Sequence, residues 1–188
     1  MTDGKNIEMS CLRDLRKQWR EHHETGFSLR LLSPTDGSVA GFIGEIRGKE
    51  GTPWEDSIIP ITMENFSEFP ERLPKCRLPR GFFHMQVFPS GLISLDDPLK
   101  ALARCEGKDA DYYMNHRSEI TINCIMKAVR EMLAEPDLES ANQREAYTVY
   151  NEDRAEYERR VREQAARYKE GAEAAEQASE QECIVIDE

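Results

Sequence analysis

No C-x-x-C pair occurs among the five cysteines, Cys11, Cys76, Cys105, Cys124 and Cys183, and the four histidines do not cluster with them. A metal site is therefore not expected, nothing requires a cofactor, and a reducing compartment, cytosol or nucleus, fits the unpaired thiols. Long apolar runs are also missing, so the sequence points to a soluble protein with neither a membrane span nor a signal peptide. Positive charge is in deficit: 25 Lys and Arg stand against 36 Asp and Glu, a net charge of −11. General nucleic-acid binding is thereby disfavoured. Residues 169–188 hold seven acids and one lysine, so the tail carries −6 of that charge and the body only −5.

What is present is enough apolar sequence for one core. The 188 residues are 39% hydrophobic, the size of one ordinary domain with some excess. Over 7–23, Leu12, Leu15 and Trp19 recur at helical spacing, while Arg13, Arg16, Lys17 and Arg20 mark another face. Such a basic stripe is usually a solvated face, and on an acidic chain it is also a candidate docking surface for an acidic partner. Strand-like runs follow at 28–32, 39–46 and 58–63, separated by turn-forming segments, with a short fourth at 75–78 flanked by Pro74 and Pro79. Residues 96–119 are polar and hard to assign apart from a helical turn near 99–104. A clear helix is predicted at 120–133, where Ile122, Ile125, Met126, Val129, Met132 and Leu133 mark one side. Helices at 142–150 and 152–168 complete the body. Past Gly171 the Glu, Ala, Gln and Ser content cannot bury a core face, and 169–188 reads as an acidic, disordered tail, as 1–6 reads as a flexible start. The fold class is α+β: a helix, a four-stranded antiparallel meander, then helices.

The stretch with the densest chemistry is His84-Met85-Gln86-Val87-Phe88-Pro89-Ser90-Gly91-Leu92-Ile93-Ser94-Leu95. Pro89-Ser90-Gly91 should reverse the chain, because proline fixes φ and glycine accepts φ > 0, so Gln86 and Ser94 come to face one shallow groove. On spacing alone this is a hairpin with incidental polar residues.

The same stretch resembles the active site of the ubiquitin-like conjugating enzymes, most closely the SUMO-conjugating branch. Other stretches similar to that branch are Arg16-Lys17-x-Trp19-Arg20 with His23, Gly48-Lys49-x-Gly51-Thr52-Pro53-Trp54-Glu55, Pro74-Lys75-Cys76, Glu145-Ala146-Tyr147-Thr148-x-Tyr150 and Glu156-Tyr157-Glu158-x-Arg160-Val161-Arg162. The resemblance covers residues 7–168 and implies the conjugating-enzyme fold, with SUMO and its activating enzyme as partners, ligases and substrates beyond them, and a location in nucleus and cytoplasm. It implies that Arg16, Arg20 and His23 bind SUMO non-covalently, and that Lys75, Arg77, Phe88, Ser90 and Gln143 line a substrate-motif groove. His84 begins the active-site triplet.

The catalytic positions depart from the resemblance. Ser94 stands where the family has its thioester cysteine, Gln86 where it has an asparagine whose amide supports the oxyanion, and Ser140 where an aspartate sits beside the substrate lysine. Phe88, Leu92 and Arg144 depart as well. A serine hydroxyl with no adjacent base is a poor nucleophile at neutral pH. An active enzyme with its cysteine exchanged for serine explains Ser94 alone. A relative that has lost transfer chemistry explains the set, and a conjugating enzyme for another ubiquitin-like protein is the third reading. Residues 96–119 form an insertion, about a dozen residues longer than in the SUMO enzyme, that is placed to cover part of the groove. Cys105 lies in it, and its separation from position 94 argues against a substitute nucleophile. The tail segment Ile184-Val185-Ile186, beside Glu182, Asp187 and Glu188, resembles a SUMO-interacting motif, an extended strand that adds to a sheet edge.

Overall fold

The computed structural model describes residues 3–22, 25–32 and 41–183. Helix α1 (Asp3–His22) is followed by strands β1 (Phe27–Leu32), β2 (Gly41–Arg47), β3 (Ile58–Glu64), β4 (Lys75–Arg77) and β5 (Leu92–Ile93). Helices α2 (Asp96–Cys105), α3 (Tyr112–Asn115), α4 (Ile122–Ala134), α5 (Arg144–Glu152) and α6 (Arg154–Cys183) complete the order. The strands form one antiparallel sheet in sequence order, so the meander has five strands where the sequence predicts four. The fifth is two residues long, too short to carry a periodic signal.

Alternation sets the buried face. Phe42 and Ile46 of β2 and Ile59, Ile61 and Met63 of β3 are buried, while Glu45 and Arg47 face out. The register sets Phe27 opposite Ile46, Ile46 opposite Ile59, Met63 opposite Cys76 and Cys76 opposite Ile93, giving apolar rows that run across the strands. Helix α4 covers this face with the six apolar residues its spacing picks out, all buried, and the Thr121 hydroxyl caps it by accepting from the Cys124 N–H at 3.2 Å. Gly44 permits the close packing, since a Cβ there would come within 2.9 Å of Met126. Leu12 and Trp19 of α1 are buried as their spacing implies.

Residues 96–119 are more ordered than their polarity suggests. Helix α2 opens with Asp96, Asp97 and Pro98 in its first turn and buries Leu99, Leu102 and Ala103, packing against α4. It stops where Gly107 takes φ +72°, with the Gly107 N–H bonded to the Arg104 carbonyl and the Lys108 N–H to the Ala103 carbonyl. Cys105 is thereby fixed in the last turn.

The two ends also differ from the sequence expectation. Helix α1 begins at Asp3, and α6 continues through Cys183, past the point where a disordered tail is expected. Alanine, glutamate and glutamine favour helix even where no apolar face is available. His23 and residues 184–188, including Ile184, Val185 and Ile186, lie outside the described residues.

The segment from Phe82 to Val87 lies in no strand, so its backbone groups need other partners. Gln164 of α6 supplies both for Phe83, accepting from its N–H at 2.7 Å and donating to its carbonyl at 3.2 Å. Gln143 donates to the Phe82 carbonyl at 3.1 Å, and the Asn142 and Gln143 N–H groups share the Met85 carbonyl. Trp54 stacks on Phe82 at 5.1 Å and donates its indole N–H to the Leu133 carbonyl. Gln164→Ala should unpair both Phe83 groups and cost about 2 kcal/mol in chemical denaturation. Unchanged stability would contradict this bracing.

His84 is the polar centre of the segment. It is fully buried, and its Nδ1 accepts the Gln86 N–H at 3.2 Å, which leaves the proton on Nε2. Burial lowers its pKa to about 3, while the Met132 backbone raises it only in part. The unfolded chain takes up a proton near pH 6.5 that the native chain refuses, so this residue's contribution to stability is complete above that pH and declines as pH falls. By pH 5 the loss should be about 2 kcal/mol. Ring resonances of native His84 should show one neutral Nε2–H form down to pH 5; a titration midpoint near 6.5 would contradict the assignment.

Candidate functional site

The chain reversal at the site is a four-residue turn. The Gly91 N–H donates to the Phe88 carbonyl at 2.7 Å with Pro89 and Ser90 between them, and the Phe88 N–H donates to the Leu92 carbonyl at 3.0 Å. Gly91 takes φ +86°, and a Cβ there would meet the Leu78 carbonyl at 2.1 Å. Only glycine fits, as the sequence implies.

This turn brings the expected residues together. Val87 bridges Ile93, and continuing that antiparallel register sets Gln86 beside Ser94. Cys76 and Arg77 pair with Ile93 and Leu92, so the same continuation sets Lys75 near Ser94. Lys75 and Phe88 are exposed, and so is Ser90 at the turn, with its hydroxyl accepting the Leu92 N–H at 3.4 Å. Arg77 is half-buried.

Two of the expected site residues are engaged in holding the fold. Gln143 is 8% exposed, with its amide on the Phe82 carbonyl and near the Val87 carbonyl at 3.5 Å, so it braces the floor of the groove from below. Gln86 is 3% exposed, and its Oε1 accepts the Asp137 N–H at 2.8 Å while its main-chain carbonyl accepts from Asn142 Nδ2 at 3.2 Å. The longer side chain therefore ties the active-site stretch to the loop that carries Ser140. Ser140 ends a short 3-10 turn, Leu138–Ser140, and is half-buried. Sequence reasoning reaches the residue types here but not these partners, which are set by α5 and α6.

Ser94 is half-buried, and its hydroxyl makes no hydrogen bond to any described residue. The imidazole of the stretch is held away, neutral and bonded through Nδ1 to Gln86. Among the described residues no base is hydrogen-bonded to the hydroxyl. Beyond Gln86 the surface opens into a groove of about 680 Å³ between the end of α2, the end of α4 and the loop at 135–139. Its walls include Arg104 and Cys105 from α2, with Arg104 bridging to Asp137 at 3.5 Å. The end of α2 thus forms one wall of the groove.

On α1, Arg13, Lys17 and Arg20 are exposed and Arg16 is half-buried, leaving the basic stripe open to solvent. Among the described residues, no helix is long and apolar enough to cross a membrane, and no group of three or more metal-ligating side chains occurs.

Comparison with known proteins agrees with this geometry. The family model described as ubiquitin-conjugating enzyme matches residues 10–165. The SUMO-conjugating enzyme SCE1 of Arabidopsis thaliana is 33% identical over 167 residues, covering 88% of this chain and 97% of that protein. The Sumo-conjugating enzyme ubc9 of Dictyostelium discoideum is 30% identical over 164 residues, covering 86% and 96%. A solved structure described as a novel ubiquitin-conjugating enzyme superposes with a TM-score of 0.58 at 23% identity, covering 81% of this chain and 91% of its own, which shows the shared fold. With the hairpin, the buried histidine and the bracing glutamines all in place around a hydroxyl, the chain belongs to the ubiquitin-conjugating enzyme family, and its homologues include SUMO-conjugating enzymes.

Proposed function

We propose that this protein works in the SUMO pathway, in nucleus and cytoplasm, by binding SUMO and the SUMO-activating enzyme without covalent contact, and that position 94 does not carry out isopeptide transfer. The observation that carries this reading is the solitary Ser94 hydroxyl, which has neither a base nor a hydrogen-bond partner among the described residues. Transfer needs a nucleophile that is also a good leaving group, a donor for the oxyanion and an environment that deprotonates lysine. Here the first is a hydroxyl, the second is an amide anchored to Asp137, and the third is a serine. An exchange at position 94 alone would leave Gln86, Phe88, Leu92 and Ser140 unaccounted for, which favours a relative that has lost the reaction.

Binding is supported by the exposed α1 stripe, where guanidinium groups one helical turn apart suit the carboxylates of an acidic partner. The carboxy-terminal Ile184-Val185-Ile186 segment with its flanking acids would add a second contact through strand addition.

Mixed with activating enzyme, ATP and SUMO, Ser94 should form at most a slow oxyester that resists thiol reductant and is lost in Ser94→Ala. Rapid, Ser94-dependent transfer to a lysine acceptor would contradict the reading. Ser94→Cys should transfer at least tenfold more slowly than an active SUMO-conjugating enzyme, because Gln86 and Ser140 remain; full recovery would favour an exchanged cysteine.

Reversing charge at Arg16 and Arg20 should weaken SUMO binding at least tenfold and flatten its salt dependence. Ending the chain at Tyr168 should preserve the fold and either lower affinity further or reduce the stoichiometry from two SUMO to one. No SUMO affinity in the unmutated chain would reject the binding reading.

A further inference from the structure

The hairpin that leads to Ser94 has an outer face whose positive charge is left unpaired. Lys75, Arg80 and Arg144 are exposed and Arg77 is half-buried, and none of the four forms an ion pair with a described residue. Glu64 stands opposite Lys75 without pairing to it, and Glu145, next to Arg144, is taken by Arg160 at 2.7 Å. The fold gathers these cations. Lys75 and Arg77, two apart on β4, point the same way, and Arg77 is opposite Leu92, whose carbonyl accepts the Phe88 N–H. Arg80 precedes Gly81, whose N–H donates to the Pro89 carbonyl at 3.1 Å. Arg144 follows Gln143, whose amide reaches the Val87 carbonyl.

The same face is apolar. Among the described residues the exposed large hydrophobic side chains are Phe88 at 36%, Tyr147 at 39% and Leu138 at 46%. Phe88 opens the turn, and the Tyr147 N–H donates to the Gln143 carbonyl at 3.0 Å, so both border the cations. Leu138 instead shares its groove with Glu135, Asp137 and Glu139. Apolar side chains ringed by unpaired cations suit an extended partner that carries β-branched residues and carboxylates side by side.

The chain contains such a segment. Ile184-Val185-Ile186-Asp187-Glu188, preceded by Glu180 and Glu182, lies outside the described residues. The α1 stripe matches its charge but offers no exposed large apolar side chain among the described residues, and the surroundings of Leu138 have the wrong charge. The root of the segment is close to the hairpin: Gln164 of α6 is bonded to Phe83, and Tyr168 stacks at 5.9 Å on Phe82, two residues past Arg80. Gly171 follows, the residue type that, after proline, least favours a helix interior. Seating the segment requires α6, helical through Cys183, to open there. The 17 residues after Gly171 then span up to about 55 Å, ample for a face that begins beside Tyr168.

We propose that residues 184–188 occupy the outer face of the hairpin in the free chain, with the isoleucines against Phe88 and Tyr147 and the acids among Lys75, Arg77, Arg80 and Arg144. The segment assigned above to strand addition on SUMO is then covered until SUMO takes it, and the hairpin face is open only when the tail has left. The intramolecular contact stands independently of the SUMO-binding reading; only the identity of the competitor rests on it.

The test compares amide spectra of the isotopically labelled full chain, without SUMO, with those of the full-length variant Ile184→Ala, Ile186→Ala, Asp187→Lys, Glu188→Lys. Resonances of residues 75–80, 88–92 and 144–147 should shift while those of α1 stay in place. A synthetic peptide of residues 180–188 should bind this variant at least tenfold more tightly than it binds the unmutated chain, whose face is occupied. Adding Lys75→Glu and Arg144→Glu to the variant, both at exposed positions, should weaken the peptide at least tenfold. Hairpin resonances that coincide in the unmutated chain and the tail variant overturn the proposal. Peptide shifts that fall on Arg13, Arg16, Lys17 and Arg20 instead also overturn it. Because the measurement contains no SUMO, its failure leaves the binding role standing, and a chain without SUMO affinity leaves the intramolecular contact standing.

Discussion

The site depends on one requirement: the backbone from Phe82 to Val87 lies outside every strand and, apart from half-buried Phe83, is buried, so its hydrogen bonds must come from elsewhere. They come from Asn142 and Gln143 ahead of α5 and from Gln164 on α6, far along the chain. His84 closes the inner side, neutral and fully buried. Fold and site are therefore coupled, because the helices that finish the core also hold the stretch that leads into the Ser94 hairpin. Packing adds to the coupling, since Trp54, Phe82 and Tyr168 stack in series between the β2–β3 connection and α6.

That coupling suits the proposed reading, in which the scaffold persists while the reactive groups differ. Gln86 engages the loop at Asp137, whose N–H occupies its side-chain oxygen. Ser94 keeps its place beside it through the hairpin register, set by Gly91. On the proposed reading, the difference falls on nucleophilicity and proton transfer, which stability does not constrain.

Where residue type alone dictates geometry, the sequence was legible. Gly91 at positive φ, the six buried apolar residues of α4, the alternation in β2 and β3 and the buried Leu12 and Trp19 all follow from local pattern. Helix α2 was legible only in part: Asp96, Asp97, Pro98 and Gly107 are start and stop signals, but the short apolar set of Leu99, Leu102 and Ala103 is diluted by charge. The length of α6 could not be read from periodicity, because alanine and glutamate propagate a helix without an apolar face. The bracing roles of Gln86, Gln143 and Gln164 were beyond the sequence, since an amide's partner is chosen by tertiary contact. The shared groove of Gln86 and Cys105 depends likewise on how α2 packs against α4.

The central claim is that position 94 has lost its chemistry while the surface that recognises the modifier remains. It is tested most directly by titrating SUMO onto the unmutated chain and onto Ser94→Ala under identical salt. The account predicts the same affinity for both, since no contact of the binding face passes through the hydroxyl. Binding that depends on Ser94, or that is absent from both chains, would contradict it.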